Sequence, residues 1–200
     1  LRVAYLATGD ELVLPGEPPL PGSLYESNRP VLAALLTELG MAAVDLGVVR
    51  DDREALRQAL REGARRADVL LTTGGASVGE ADHVVELLRE EGEVDFWKVA
   101  IKPGKPFVCG RLGTTPVFGL PGNPVSMMVT FLQLARPALL RMAGRAATAA
   151  PRWRAVCRQP VRKPAGRLEF LRGWLDWQAD PVSVTPFRAQ GSHRLTSMSR

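Results

Sequence analysis

The sequence predicts an α/β protein, a sheet with helices on both faces, followed by a small separate β region. Over the first 145 residues, short apolar segments alternate with segments whose apolar residues recur at helical spacing. Several of the apolar segments end in glycine-rich or acidic loops, which is where ligands bind in sheets of this kind. At Arg145 the texture changes to short strand-like runs broken by Pro and Gly.

Arg2–Thr8 is short and apolar and reads as a buried strand. Ser27/Asn28 can cap a helix, Pro30 suits its first turn, and Val31, Leu35, Leu36 and Leu39 supply its apolar face before Gly40 closes it. Met41–Val49 is a second strand. Asp51/Asp52 open a helix to about Arg66, with Ala55, Leu56, Ala59 and Leu60 on one face. Asp68–Thr73 is a third strand, and a short helix runs from about Asp82 to Glu90. Val94–Ile101, Pro106–Cys109 and Pro116–Leu120 read as strands, and Asn123–Met142 as one long apolar helix kinked at Pro137. A linker, Ala146–Pro151, separates residues 1–145 from a small C-terminal β domain at 151–200, with strands at Trp153–Val161, Leu168–Trp177 and Val182–Phe187. That domain reaches Arg200 without a clear last strand, and the first residue is Leu, so the expectation is a segment of a longer protein.

Composition narrows the function classes. With 46% hydrophobic and 24% charged residues the chain can build a core and does not read as disordered. No apolar run approaches the roughly 20 residues a membrane-spanning helix requires. Cys109 and Cys157 are far apart and lack metal-site spacing, which favours a reducing cytoplasmic setting. The net charge of +5 could serve nucleic acid, but the basic residues are dispersed and no aromatics are interleaved with them. A small anionic ligand suits the same modest field.

Five loops could carry chemistry. Gly74-Gly75-Ala76-Ser77-Val78-Gly79-Glu80-Ala81-Asp82 can bring backbone N–H groups against a phosphate just before a helix start. Its Glu80 and Asp82 would repel such a ligand unless a divalent cation lay between, and Mg²⁺ resolves that conflict. A tight strand–helix turn capped by Asp82 would look the same. Lys102-Pro103-Gly104-Lys105-Pro106 holds two lysines on a stiff turn, with Lys98 on the same face of a continuous strand by period two. A solvated hairpin is the other reading of that turn. Gly119–Ser126 joins a strand to a helix through Gly122, with Asn123 as the candidate cap and Pro124 at the first position. Thr8–Leu12 and Arg50–Asp52 place Glu11 and Asp51 after two further strands.

Together these loops resemble the molybdopterin molybdotransferase family, bacterial enzymes related to the gephyrin E domain. The resemblance lies in TGDEL (8–12), SNRPVL (27–32), RDD (50–52), GGASVGEAD (74–82), KPGKP (102–106) and GLPGNPVS (119–126). It extends to PAGRLEFLRG (164–173) and QGSH (190–193). It implies a three-layer α/β/α sandwich of the molybdenum-cofactor-biosynthesis type followed by a β-barrel-like domain, in a homodimer with a shared cleft. It implies Mg²⁺-dependent insertion of molybdate into adenylyl-molybdopterin, with release of AMP, and molybdopterin adenylyltransferase as a possible partner. By motif, Glu11, Asp51 and Asp82 would surround the metal and the phosphoanhydride. Lys98, Lys102 and Lys105 would hold molybdate or phosphate, and Gly74, Gly75, Ser77 and Gly79 would cradle the ligand. Pro121, Asn123 and Pro124 would fall along the cleft wall, and Arg172 and Ser192 would reach in from the small domain. Complete chains of the family carry further domains ahead of the matched segment.

Two rival readings remain. A molybdopterin adenylyltransferase shares the α/β fold, but the KPGKP turn, LPGNP followed by Val-Ser, and the appended β region favour the molybdotransferase. A non-catalytic gephyrin-like scaffold is disfavoured by the full set of acidic and lysine residues. Neither GxGxxG nor GxxxxGK[ST] is present, which argues against a generic nucleotide-binding domain.

Overall fold

The computed structural model describes residues 1–75, 83–193 and 195–198. In chain order the elements are β1 (Arg2–Thr8), β2 (Leu12–Val13), β3 (Leu24–Tyr25), α1 (Asn28–Glu38), β4 (Ala42–Val49), α2 (Arg53–Arg66), β5 (Val69–Thr73) and α3 (His83–Glu91). They continue as β6 (Gly92–Trp97), β7 (Ile101–Lys102), β8 (Val108–Leu112), β9 (Thr115–Leu120), α4 (Pro124–Thr130), a π-helical turn (Phe131–Ala135) and α5 (Arg136–Met142). The C-terminal region adds β10 (Val156–Cys157), β11 (Leu168–Glu169), β12 (Gly173–Asp176), β13 (Ser183–Pro186) and a 3₁₀ turn at Leu195–Ser197.

Six strands form one mixed sheet in the order β4-β1-β5-β9-β8-β6. β4, β1, β5 and β9 are mutually parallel, whereas β8 is antiparallel to both β9 and β6. Alternate side chains go to opposite faces. Val3, Tyr5, Val69, Leu71, Phe118 and Leu120 join the first core with α1, α4 and α5, while Ala4, Leu6, Leu70 and Val117 join the second with α2 and α3. The result is the expected three-layer sandwich. On the second face Arg57 and Arg61 of α2 bond to Glu91 of α3 at 2.6 and 2.8 Å.

Several local expectations change. Neither Ser27 nor Asn123 caps a helix with its side chain. Asn28 is turned inward, and the Glu26 carboxylate instead accepts the Arg29 N–H at 2.8 Å. Asp52 does cap α2, accepting from Ala55 N at 2.8 Å. The long helix passes through the π turn immediately before Pro137. Proline has no N–H for the helical ladder, and a widened turn accommodates that loss.

The stretch expected as one strand, Val94–Ile101, breaks after Trp97, because Lys98 adopts a left-handed φ of 68°. Lys98 and Lys102 therefore do not share a strand face. The C-terminal region forms a three-stranded sheet, β10-β13-β12, and no closed barrel among the described residues. β11 leaves that sheet and pairs in parallel with β7, through Leu168↔Ile101 and Glu169↔Lys102. Val125 N also donates to Ser192 O at 3.0 Å. No helix among the described residues is long and apolar enough to cross a membrane.

Candidate functional site

The parallel strands end at one edge of the sheet, so the loops after β1, β4, β5 and β9 converge there. Because β6 runs with them and β8 returns against them, the connection containing Lys98 and the KPGKP turn lies at the same edge. The KPGKP turn thus joins the other loops at the ligand edge of the sheet.

Close backbone approach holds the edge together. Gly74 N donates to Leu120 O at 3.2 Å, and a Cβ on Gly74 would sit 2.1 Å from Thr8 O. With φ at 84°, only glycine suits that position. Gly122 lies against Gly74, 3.5 Å from its Cα to an added Cβ. Asn28 links the same loops: its Nδ2 donates to Thr73 Oγ1 at 2.9 Å and to Gly122 O at 2.7 Å. The sequence reading took Asn28 for a cap and missed this role. Its clue was a polar residue beside Pro30 on a helix whose other inward positions are leucine.

The edge carries oxygen ligands with spare capacity. Thr8 Oγ1 and Asn28 Oδ1 are buried without a hydrogen-bond partner among the described residues. Such groups are costly unless something binds them. Asp51 N donates to Asp10 Oδ1 at 3.1 Å, which sets the β1 and β4 loops side by side. Glu11 folds back over its own loop, its Oε2 2.7 Å from where a Cβ on Gly9 would sit. No group of three or more His, Cys, Asp or Glu side chains suited to a metal occurs among the described residues. A Mg²⁺ held by one or two carboxylates together with substrate phosphates does not need three. Asp10, Glu11 and Asp51 are acidic residues that the described β1 and β4 loops carry at this edge beside the Asp51–Asp10 bond. Ser77, Gly79 and Asp82 lie outside the described residues.

A cavity of about 700 Å³ opens between the KPGKP turn, the start of α4 and the C-terminal region. The turn packs on α4, since a Cβ at Gly104 would lie 2.5 Å from Thr130 Cγ2. Lys102, Lys105 and Ser126 line one wall and Arg162, Arg167 and Arg188 the other. Lys102 Nζ lies 3.4 Å from Glu169 Oε1, whose side chain is only 10% exposed. Ser192 lines the cavity beside Gly191. Arg172 is committed to its own region: it donates to Gln190 Oε1 at 3.2 Å, Gly191 O at 3.2 Å and Ser197 Oγ at 2.9 Å. Burial holds its pKa below the ordinary arginine value. Lys98 is absent from the cavity lining; its ammonium sits 3.7 Å above the Trp97 ring.

The structure thus brings Glu11, Asp51, Gly74, Gly75, Pro121, Asn123 and Pro124 to the strand-end loops, and Lys102, Lys105 and Ser192 to the cavity. Residues 123–126, at the start of α4, lie between the two. An α/β sheet with an oxygen-rich carboxyl edge beside a cationic cavity is an arrangement suited to small anionic ligands.

The comparisons give that class a family. Residues 4–141 match the family described as "Probable molybdopterin binding domain", and residues 154–200 match "MoeA C-terminal region (domain IV)". The molybdopterin molybdenumtransferase of Haemophilus influenzae is 41% identical over 200 residues, covering 98% of this chain and 49% of that protein. Molybdopterin molybdenumtransferase 2 of Mycobacterium tuberculosis is 36% identical, covering 97% and 49%. Among solved structures, a molybdopterin biosynthesis MoeA protein of Pyrococcus horikosii superposes with a TM-score of 0.83 at 34% identity, covering 99% of this chain and 47% of that one. The chain belongs to the MoeA-type molybdopterin molybdenumtransferase family, and it spans about half the length of the curated relatives it matches. A molybdenum cofactor biosynthesis protein B shares the α/β fold alone, at 19% identity and a TM-score of 0.56.

Proposed function

We propose that this chain carries the pterin- and molybdate-binding part of a molybdopterin molybdenumtransferase, which inserts molybdate into adenylyl-molybdopterin with release of AMP. The observation that carries the reading is the placement of a cationic cavity beside an oxygen-rich strand edge, with the first residues of α4 between them. An oxyanion and a phosphoanhydride can then be held close together.

In this reading Lys102, Lys105 and Ser126 hold the molybdate dianion. Lys102 exchanges its contact with Glu169 for one with the anion. Gly74 and Gly75 bring backbone against the organic ligand, and Thr8 and Asn28 offer it their unpaired oxygens. Glu11 and Asp51, with Asp82 by motif, are the carboxylates that would hold Mg²⁺. Bound there, the metal would neutralise the bridging phosphates and favour departure of the adenylate. Fixing both reactants removes much of the entropic barrier to their meeting. Lys98, parked on Trp97, is assigned to the rim of the site. The same reading includes a homodimer, two domains divided near residues 145–151 and a cytoplasmic setting.

Calorimetric titration with adenylyl-molybdopterin and Mg²⁺, with ATP as the comparison ligand, tests this. The expected result is binding of the adenylylated pterin that weakens about tenfold or more without Mg²⁺ or in Asp51→Asn, with ATP binding far more weakly. Preferential binding of ATP would instead indicate the adenylyltransferase.

A further inference from the structure

Among the described residues Lys98 is the one non-glycine residue with a left-handed backbone, at φ 68°. A side chain is costly there, and such a placement persists only where its surroundings over-determine it. Trp97 pairs with Val108 at the end of β6, Lys98 N donates to Phe107 O at 3.0 Å, and Val99 N donates to Lys105 O at 2.9 Å. The backbone is thus fixed on both sides, and the four-carbon stem of Lys98 is what remains free to swing. Its ammonium lies 3.7 Å above the centre of the Trp97 ring and makes no salt bridge among the described residues. Packing against the second core anchors the ring, while its buried Nε1 has no hydrogen-bond partner among the described residues. Arg89 also reaches the ring, 5.7 Å from its centre. Two like charges that share one indole repel each other. A contact between an exposed ammonium and an indole is also weaker than a charge-assisted hydrogen bond to an oxyanion. Lys98 is therefore kept in a defined place by a contact that an anion can outcompete.

We propose that Trp97 is a positioning residue that stores the Lys98 ammonium on its indole face and releases it to an anionic oxygen of the ligand bound at the strand edge. The inference rests on the proposed reading of that edge as the place of an anionic organic ligand. β6 ends at the edge, so Lys98 lies beside it, outside the cavity lined by Lys102 and Lys105. Three strands, β5, β9 and β8, separate β6 from β1 in the sheet. Lys98 therefore serves the end of the ligand away from Glu11 and Asp51, where a metal held by those carboxylates does not neutralise charge. Storage also has an entropic use. A lysine that starts from a fixed place loses less conformational freedom on meeting the ligand than one loose in solvent.

The test is NMR of the chain carrying isotope-labelled lysine, titrated with adenylyl-molybdopterin and Mg²⁺ while calorimetry follows binding. Lys98, Lys102, Lys105 and Lys163 are its lysines, and Lys98→Met identifies the Lys98 signal by removing it. The ring current of an indole moves a methylene stacked on its face upfield. The expected result is an upfield Lys98 ε-methylene signal in the free chain that returns to the ordinary lysine position as ligand binds. Lys98→Met should also weaken binding about tenfold or more, through loss of one charge-assisted hydrogen bond. An ordinary Lys98 position in the free chain would overturn the storage on Trp97. An upfield signal that persists while calorimetry shows binding, or full affinity in Lys98→Met, would overturn the release and leave Trp97 as core packing alone. Absence of any binding by wild type would overturn the reading of the strand edge, and the release with it, while the signal in the free chain would still decide the storage.

Discussion

The two halves of the described chain are stabilised by different means. Residues up to Leu140 supply every buried apolar side chain among the described residues, in two clusters on either side of the sheet. In the C-terminal region the buried residues are polar, Arg172 and Ser183, while Trp153, Trp174 and Trp177 remain more than half exposed. Its aromatics meet edge to face in pairs, Trp153 with Trp177 and Trp174 with Phe187, with ring centroids 5.5 Å apart in each. A region with so little apolar burial has little stability of its own. It is held in place by the β7–β11 pairing and the Val125–Ser192 bond, while Arg172 ties together segments within the region itself. The α/β half supplies rigidity, and the C-terminal half supplies a cavity wall.

Three measurements would break or sharpen that contrast. The largest effect is expected from Phe131→Ala, which empties a fully buried position in the first core and should cost about 3–5 kcal/mol in urea denaturation. Next is Arg172→Leu. It removes the donors for Gln190, Gly191 and Ser197 and should cost about 1–3 kcal/mol, felt locally. Hydrogen exchange should accelerate in residues 172–193 while the β5 amides keep their protection. Equal loosening of β5 would show that the halves form one cooperative unit. The smallest effect compares the cysteines, one in each half. Burial first, and then the Asp95 carboxylate, disfavour the Cys109 thiolate and push its pKa to about 11 from an ordinary 9.0. Cys157 is exposed. Alkylation at pH 8 should therefore modify Cys157 about tenfold or more faster. Because the folded protein raises the Cys109 pKa, its contribution to stability is complete below pH 9.0 and is lost as pH rises towards about 11. Equal alkylation rates at pH 8 would contradict the burial of Cys109.

The element order of the α/β half was legible because burial on both faces leaves a clear pattern: continuous apolar strands such as Val69–Thr73 and three-to-four spacing in the helices. The loops Gly74–Gly75 and Pro121–Asn123 were legible for a related reason, since close backbone approach requires small residues. Other features depended on tertiary contacts that no local pattern encodes. Lys98 leaves strand geometry to stack on Trp97, and period two carries no sign of that. Leu168–Glu169 looked like part of one C-terminal strand, but its partner is Ile101–Lys102, more than sixty residues earlier. Asn28 looked like a cap because its sequence neighbours fit a helix start, while its partners, Thr73 and Gly122, lie in other loops. The arginine wall was visible only as dispersed positive charge until the fold gathered it around one cavity.

The junction between β7 and β11 has a consequence for how this surface can vary over evolutionary time. The amides of Leu168 and Phe170 donate to the carbonyls of Ala100 and Lys102, each at 2.8 Å. These bonds belong to the main chain, so the side chains of Leu168 and Phe170 can drift without undoing the seam, provided neither becomes proline. A lineage could thus reshape that part of the cavity one substitution at a time, exploring different ligands while the backbone of Lys102 stays anchored.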